Sequence, residues 1–205
     1  MNVMAVFGSA RNGNTEFMAE SAARLFEEKG ATVTRWHLWR MNYKGCTGCG
    51  ACKTSKDECV LKDDLTPYLD ALKKSDVLIL STPLYFFDAS SKVRAMLERW
   101  YSYFLPMYYT GENRNTRLPS GKHVIFAVSQ GAPENHFNDF IQRMAETFNI
   151  FNFRPVHVLR NPFGINKDAA VNNETLQAQI VTAVNRVLAG QDPETIVKQY
   201  DGGGF

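Results

Sequence analysis

The chain has 205 residues, 44% of them hydrophobic and 21% charged, with a formal net charge of +2 and a pI near 8.3. That length suits one domain with a full core, and so balanced a charge gives no pull toward nucleic acid or a membrane surface. No apolar run approaches the roughly 18 residues that span a bilayer, and no basic region precedes the first apolar run, so no secretion signal is expected.

Residues 2–8 form a short apolar run, as in a strand buried on both faces. A small polar stretch, 9–15, leads into a helix whose Met18, Ala22, Leu25 and Phe26 recur at helical spacing and which Gly30 stops. Residues 32–38 make a second β-rich stretch, and a cysteine-bearing loop fills 45–64. Thr66 is expected as the N-cap of the next helix, with Pro67 at its first position and Leu65, Leu69 and Leu72 on one face. A third strand over 76–82 runs into a loop at 83–88. Ser90 or Ser91 then caps a helix carrying Val93, Met96, Leu97, Trp100, Tyr101 and Phe104. Residues 105–121, with Pro106, Gly111, Pro119 and Gly121, make a long excursion. A fourth strand over 123–129 and a helix over 134–149 follow, the helix turning Phe137, Ile141, Met144, Ala145 and Phe148 inward. A fifth strand over 155–159 precedes a last helix that ends at Gly190, and residues 201–205 read as a loose tail.

Five alternations of strand and helix imply an α/β fold, a parallel sheet with helices on both faces. Right-handed crossovers leave the flavodoxin-like order 2-1-3-4-5 as the obvious topology, with a ligand crevice between strands one and three. Residues 1–200 then form a single domain, with the cysteine loop as an insertion.

All four cysteines, Cys46, Cys49, Cys52 and Cys59, fall within the loop at spacing C-x2-C-x2-C-x6-C. Three thiols in succession at that spacing point to iron–sulfur more than to zinc, which favours separated C-x2-C pairs. Plain thiols or a disulfide remain alternatives. Clustered rather than scattered cysteines suit the reducing cytoplasm, and Lys53 and Lys56 beside them would stabilise thiolate or an anionic cluster.

Three further loops belong to one edge of the expected sheet. In the first, Ser9, Arg11, Asn12, Gly13, Asn14 and Thr15 precede a helix N-terminus, where unpaired N–H groups and the dipole favour a phosphate. It matches neither G-x-G-x-x-G nor the P-loop, and an ordinary capped turn is the plain alternative. In the second, Pro83, Leu84, Tyr85, Phe86 and Phe87 offer an apolar platform for a flat ring or cap the core. The third, Ser129, Gln130 and Gly131, completes the rim. The four histidines, His37, His123, His136 and His157, have no metal spacing. The aromatic run 100–104 with Tyr108 and Tyr109 lines a pocket or an interface, or simply packs on the sheet.

Taken together, the segment from Gly8 to Thr15, the run Thr82-Pro83-Leu84-Tyr85-Phe86 and the compact cysteine loop resemble the iron–sulfur flavoproteins. These are a branch of the flavodoxin-like NAD(P)H-dependent FMN reductase superfamily. The resemblance implies that Ser9, Arg11, Asn12, Gly13, Asn14 and Thr15 hold the FMN phosphate. It places Pro83, Leu84, Tyr85 and Phe86 along the isoalloxazine ring, with Ser129, Gln130 and Gly131 near its far edge. Cys46, Cys49, Cys52 and Cys59 would ligate a 4Fe–4S cluster. NAD(P)H or a small redox protein would donate electrons to a small-molecule acceptor, in a homodimer or homotetramer. Strand two lies beside strand one, so its trailing loop should open on the flavin's edge of the sheet. A reductase with an empty or thiol-redox cysteine loop, a flavodoxin-type carrier and a zinc-stapled module are the competing readings. The net charge of +2 speaks against the carrier, which is usually acidic in that family, and a zinc module leaves the three-loop rim unexplained.

Overall fold

A computed structural model describes residues 1–105 and 116–193. Five strands run parallel: β1 (Asn2–Phe7), β2 (Thr32–His37), β3 (Val77–Tyr85), β5 (Lys122–Ser129) and β6 (Phe153–Asn161). A two-residue strand, β4 (Asp88–Ala89), folds back on the end of β3, and one helical turn, α2 (Ala51–Thr54), lies within the cysteine loop. The sheet order is β2-β1-β3-β5-β6, which is the expected topology with the β4 hairpin added.

Successive side chains on a strand face opposite ways, and each central strand therefore feeds two cores. Met4, Val6, Leu78, Leu80, Val124 and Phe126 pack under α3 (Leu65–Lys74), α4 (Ser91–Arg99) and α5 (Asn138–Ile150). Val3, Ala5, Phe7, Val77, Ile79 and Ile125 pack under α1 (Asn14–Glu28) and α6 (Glu174–Leu188). Burial on both faces explains why these strands read as unbroken apolar runs.

Helix ends follow the sequence at some places and depart at others. Gly30 and Gly190 close α1 and α6 at positive φ, with the paired backbone hydrogen bonds of a Schellman motif. By contrast, α3 begins at Leu65, ahead of the expected Thr66 cap. The Thr66 hydroxyl accepts from Asp63 N–H and donates to Leu61 O, steadying the chain before the helix rather than capping it. At its other end, the buried Lys122 ammonium donates to the carbonyls of Leu72, Lys73 and Ser75. A cation there satisfies free carbonyls and meets the negative end of the dipole.

The stripe expected from Val93 to Phe104 on α4 splits. Beyond Arg99 the chain tightens into a 3-10 turn, Trp100–Tyr103, in which Trp100 and Tyr103 are core residues. Tyr108, Tyr109, Pro106, Gly111 and the 201–205 tail lie outside the described residues.

Candidate functional site at the carboxyl edge

The segment after β1 enters α1 at Gly13, whose position as N-cap has no side-chain hydrogen bond. The first-turn N–H groups of a 15-residue helix are therefore open to an anion. Ser9 Oγ accepts from Arg11 N–H and donates to Arg11 O, folding the segment into a small turn, and the Arg11 and Asn12 side chains are exposed. Thr15, in the first turn of α1, is 3% exposed. Asn14 behaves differently from the sequence expectation. Its amide donates to Gly164 O (3.0 Å) and Asn166 O (2.8 Å), and its oxygen accepts from Ala170 N–H (2.9 Å). That leaves the backbone N–H, not the side chain, to face an anion.

The second segment is a hairpin rather than the expected loop. Chain β3 continues to Tyr85, and the turn is made by Phe86 (φ 47) and Phe87 (φ 68) before β4. Two consecutive left-handed residues normally call for Asn or Gly. With phenylalanine they hold strain, which clusters at functional sites, and here the turn lifts Phe86 into solvent at 98% exposure. Ser90 is the residue before α4, but its hydroxyl donates to Gly8 O (2.7 Å) instead of capping the helix. That bond ties the end of β1 to the start of α4 at the switch point, where Thr82 Oγ1 of β3 also receives Ser90 N–H (3.0 Å).

The third segment is mostly structural in its side chains. Ser129 and Gln130 are buried. Gln130 donates to Ala132 O and Pro133 O and accepts from Arg160, while Ser129 Oγ accepts from Asn161. Gly131 alone is exposed.

Sequence reasoning left out a fourth wall, residues 162–173, between β6 and α6. Gly164 N–H donates to Gln130 O (2.8 Å), Asn14 binds the segment from the other side, and Phe163 and Ile165 stand exposed. A β-carbon at Gly164 would collide with Ser129 Oγ and Asn161 Nδ2. The run Asn161-Pro162-Phe163-Gly164 carries a turn signal, but nothing local says that it bridges two other loops. Gly164→Ala is expected to lower the urea midpoint, at a cost of about 1–3 kcal/mol for overpacking. A denaturation curve superimposable on that of the unsubstituted protein would rule out the tight fit.

The cysteine loop leaves β2 at the same edge, where Trp39 Nε1 donates to Gly8 O (3.0 Å), but it does not stay there. Tyr43 OH donates to Lys92 O (2.6 Å), Lys92 Nζ to Met41 O (2.9 Å), and Gly45 lies against Glu98. The chain thus descends along α4 from its first turn to its last. The helix is nine residues long, so the cysteines are carried roughly 10 Å or more from the edge, at about 1.5 Å per residue. The expectation that the loop opens on the same edge as the other three segments holds for its start and fails for its cysteines. These side-chain ties, set by α4 and absent from local sequence, are the reason.

All four cysteines line one small cavity together with Leu61, Arg99 and Tyr101. Cys46 and Cys49 are exposed and Cys52 is buried. Among the described residues no three His, Cys, Asp or Glu side chains stand close enough to hold a metal ion. Lys53, expected to face the sulfurs, donates to Tyr101 O and Phe104 O (both 2.6 Å). Burial pulls its pKa down, while the charge of Cys52 pushes the other way. Arg117 binds Cys52 O (3.3 Å) and Phe104 O (2.6 Å). Arg99 also reaches a sulfur, donating from Nε to Cys59 Sγ; it sits in the apolar stripe of α4 and gave no signal of its own.

A family model for the flavodoxin-like fold matches residues 1–187. The chain belongs to the flavodoxin-like family. An iron–sulfur flavoprotein of Methanocaldococcus jannaschii is 26% identical over 169 residues, covering 82% of this chain and 80% of that protein. Another, of Archaeoglobus fulgidus, is 27% identical over 135 residues, 65% of this chain and 58% of the relative. A second Archaeoglobus iron–sulfur flavoprotein is matched over 48% of its length, so the chain spans about half of these two relatives. Among solved structures, an FMN-dependent NADH-azoreductase of Bacillus anthracis in complex with FMN superposes with a TM-score of 0.67 at 13% identity. It covers 94% of this chain and 100% of that one. That likeness is one of flavodoxin-like fold. No described helix is long and apolar enough to cross a membrane.

Proposed function

We propose that the protein is an FMN-dependent oxidoreductase whose four cysteines hold a 4Fe–4S cluster. The observation that carries the flavin is the uncapped N-terminus of α1 at the switch point between β1 and β3, with Thr15 in its first turn. Such a site suits a phosphate, and the names of the relatives support the choice of FMN. The first-turn N–H groups, Ser9, Arg11, Asn12, Gly13 and Thr15 bind the phosphate, with Asn14 contributing its backbone. The run from Pro83 to Phe86, half-buried at Pro83 and Leu84 and exposed at Tyr85 and Phe86, forms the platform for the ring, and the 129–131 backbone bounds its far edge.

The donor set of the second site is four sulfurs around one cavity, the chemistry of an iron–sulfur centre. Cys46, Cys49, Cys52 and Cys59 are its ligands. When bound, the flavin supplies two-electron or hydride chemistry and the cluster supplies single electrons. The chain's part is to hold the two sites at opposite ends of α4. NAD(P)H or a small redox protein is the donor and a small molecule the acceptor. The setting is cytoplasmic, where thiols stay reduced. The exposed Phe86 and Phe87 favour a second copy of the chain covering the hairpin, in a homodimer or homotetramer.

A second reading, an NAD(P)H-dependent FMN or quinone reductase with an unoccupied or thiol-redox cysteine loop, draws on the absence of a gathered ligand set among the described residues. One absorbance spectrum of anaerobically reconstituted protein, with iron and sulfide analysis, separates the two. Flavin bands over a broad visible shoulder with about four irons per chain are expected. Flavin without iron would leave the reductase, and zinc without flavin would overturn both. In the same preparation Arg11→Ala is expected to weaken FMN binding roughly tenfold, about 1.4 kcal/mol, with the fold unchanged. An unaltered flavin affinity would remove Arg11 from the phosphate site.

A further inference from the structure

A guanidinium forms the inner wall of the cysteine cavity. Arg99 is 1% exposed, and its donors are directed at both branches of the loop. Nε donates to Cys59 Sγ (3.1 Å). One terminal nitrogen donates to Lys44 O (3.0 Å) and Asp63 Oδ2 (2.7 Å), and the other to Leu61 O (3.1 Å). Lys44 precedes the first cysteine, while Leu61 and Asp63 follow the last, so one side chain clamps the loop at its two roots. Asp63 is itself held by Lys44 N–H (3.4 Å) and Leu65 N–H (3.1 Å). A neutral donor would serve for the carbonyls alone. A planar fork that stays charged also directs positive charge at a sulfur.

We propose that Arg99 is the positioning and potential-setting residue of the cysteine site. It fixes Cys59 at the cavity wall and, by its hydrogen bond to that sulfur, raises the reduction potential of the iron–sulfur group the thiolates hold. The proposal rests on the cluster reading given above. An added electron increases the negative charge on the sulfurs, so a nearby donor and cation stabilise the reduced form more than the oxidised one. Hydrogen bonds to sulfur and outer-sphere partners are established controls of such potentials, and burial strengthens them. Asp63 acts in the opposite sense, because its carboxylate offsets part of the guanidinium charge.

The test uses the full chain, reconstituted anaerobically, with the midpoint potential of the one-electron couple followed by visible absorbance and iron counted per chain. Arg99→Gln is expected to lower the potential by at least 59 mV, tenfold in the equilibrium constant for one electron. Asp63→Asn is expected to raise it, and the flavin potential should stay where it was in both. A purely structural Arg99 would leave the potential of any iron-loaded variant unmoved. Wild-type potential in both variants, with full iron, would therefore overturn the proposal alone. If Arg99→Gln is not recovered folded, Asp63→Asn decides: an upward shift supports the proposal and none overturns it. Wild-type protein that takes no iron removes the cluster reading and this proposal with it.

Discussion

Lowering the pH from 7 to 4 is expected to remove about 3 kcal/mol of stability through His157 alone. His157 lies on β6 under α6, is 2% exposed, and its Nε2 has no hydrogen-bond partner among the described residues. Burial is the main cause that pushes its pKa down to about 4. His123 and Arg186 press in the same direction and Asp192 opposes them. The unfolded imidazole takes its proton near pH 6.5 and the folded one only near 4. The contribution of the neutral ring is thus complete above 6.5 and is lost as the pH falls through that window. His123, also lowered by burial, adds in the same direction. Urea midpoints measured from pH 7 to 4 for wild type and His157→Leu check this. The variant should show a flatter profile, and equal losses in both proteins would acquit His157.

The second large effect is expected at Asn14. Replacing it with alanine removes three hydrogen bonds and strands Gly164 O, Asn166 O and Ala170 N–H. At about 1 kcal/mol or more for each, the loss comes to roughly 3 kcal/mol. Because the 162–173 wall is held by this residue, FMN affinity should fall as well. A residue acting only as a phosphate ligand would weaken flavin binding and leave the flavin-free protein as stable as before. Denaturation of the flavin-free Asn14→Ala variant distinguishes the two. A midpoint within experimental error of wild type would show that the tie carries no energy.

Asn14 also illustrates how far the sequence reaches. Its residue type and its place before a helix suggested an anion loop, yet its partners lie some 150 positions away. No local pattern encodes a contact of that separation. The same holds for Ser90, read as a helix cap and found bonded to Gly8 O. Lys53 does stand beside Cys52, as its place in the sequence suggested, but the carbonyls of Tyr101 and Phe104 that it also binds were not legible there. For Asn14 and Ser90 the side chain chose a tertiary acceptor over the local one. The hairpin at Phe86 and Phe87 was missed for a related reason, since left-handed phenylalanine violates turn preference and is fixed by the pairing of β3 with β4.

What the sequence determined by itself was the alternation of strands and helices, and hence the sheet order and the switch point. Burial on two faces and amphipathic periodicity are written residue by residue. It also set the spacing of Cys46, Cys49, Cys52 and Cys59, a chemical statement that needs no fold. Tertiary structure alone decided where those sulfurs go: down α4, away from the edge where the loop begins, against the buried Arg99. A loop's attachment point is a matter of sequence order. Its path is chosen by side chains on other elements, here Lys92, Glu98 and Arg99, whose donors and bulk accept the descending chain.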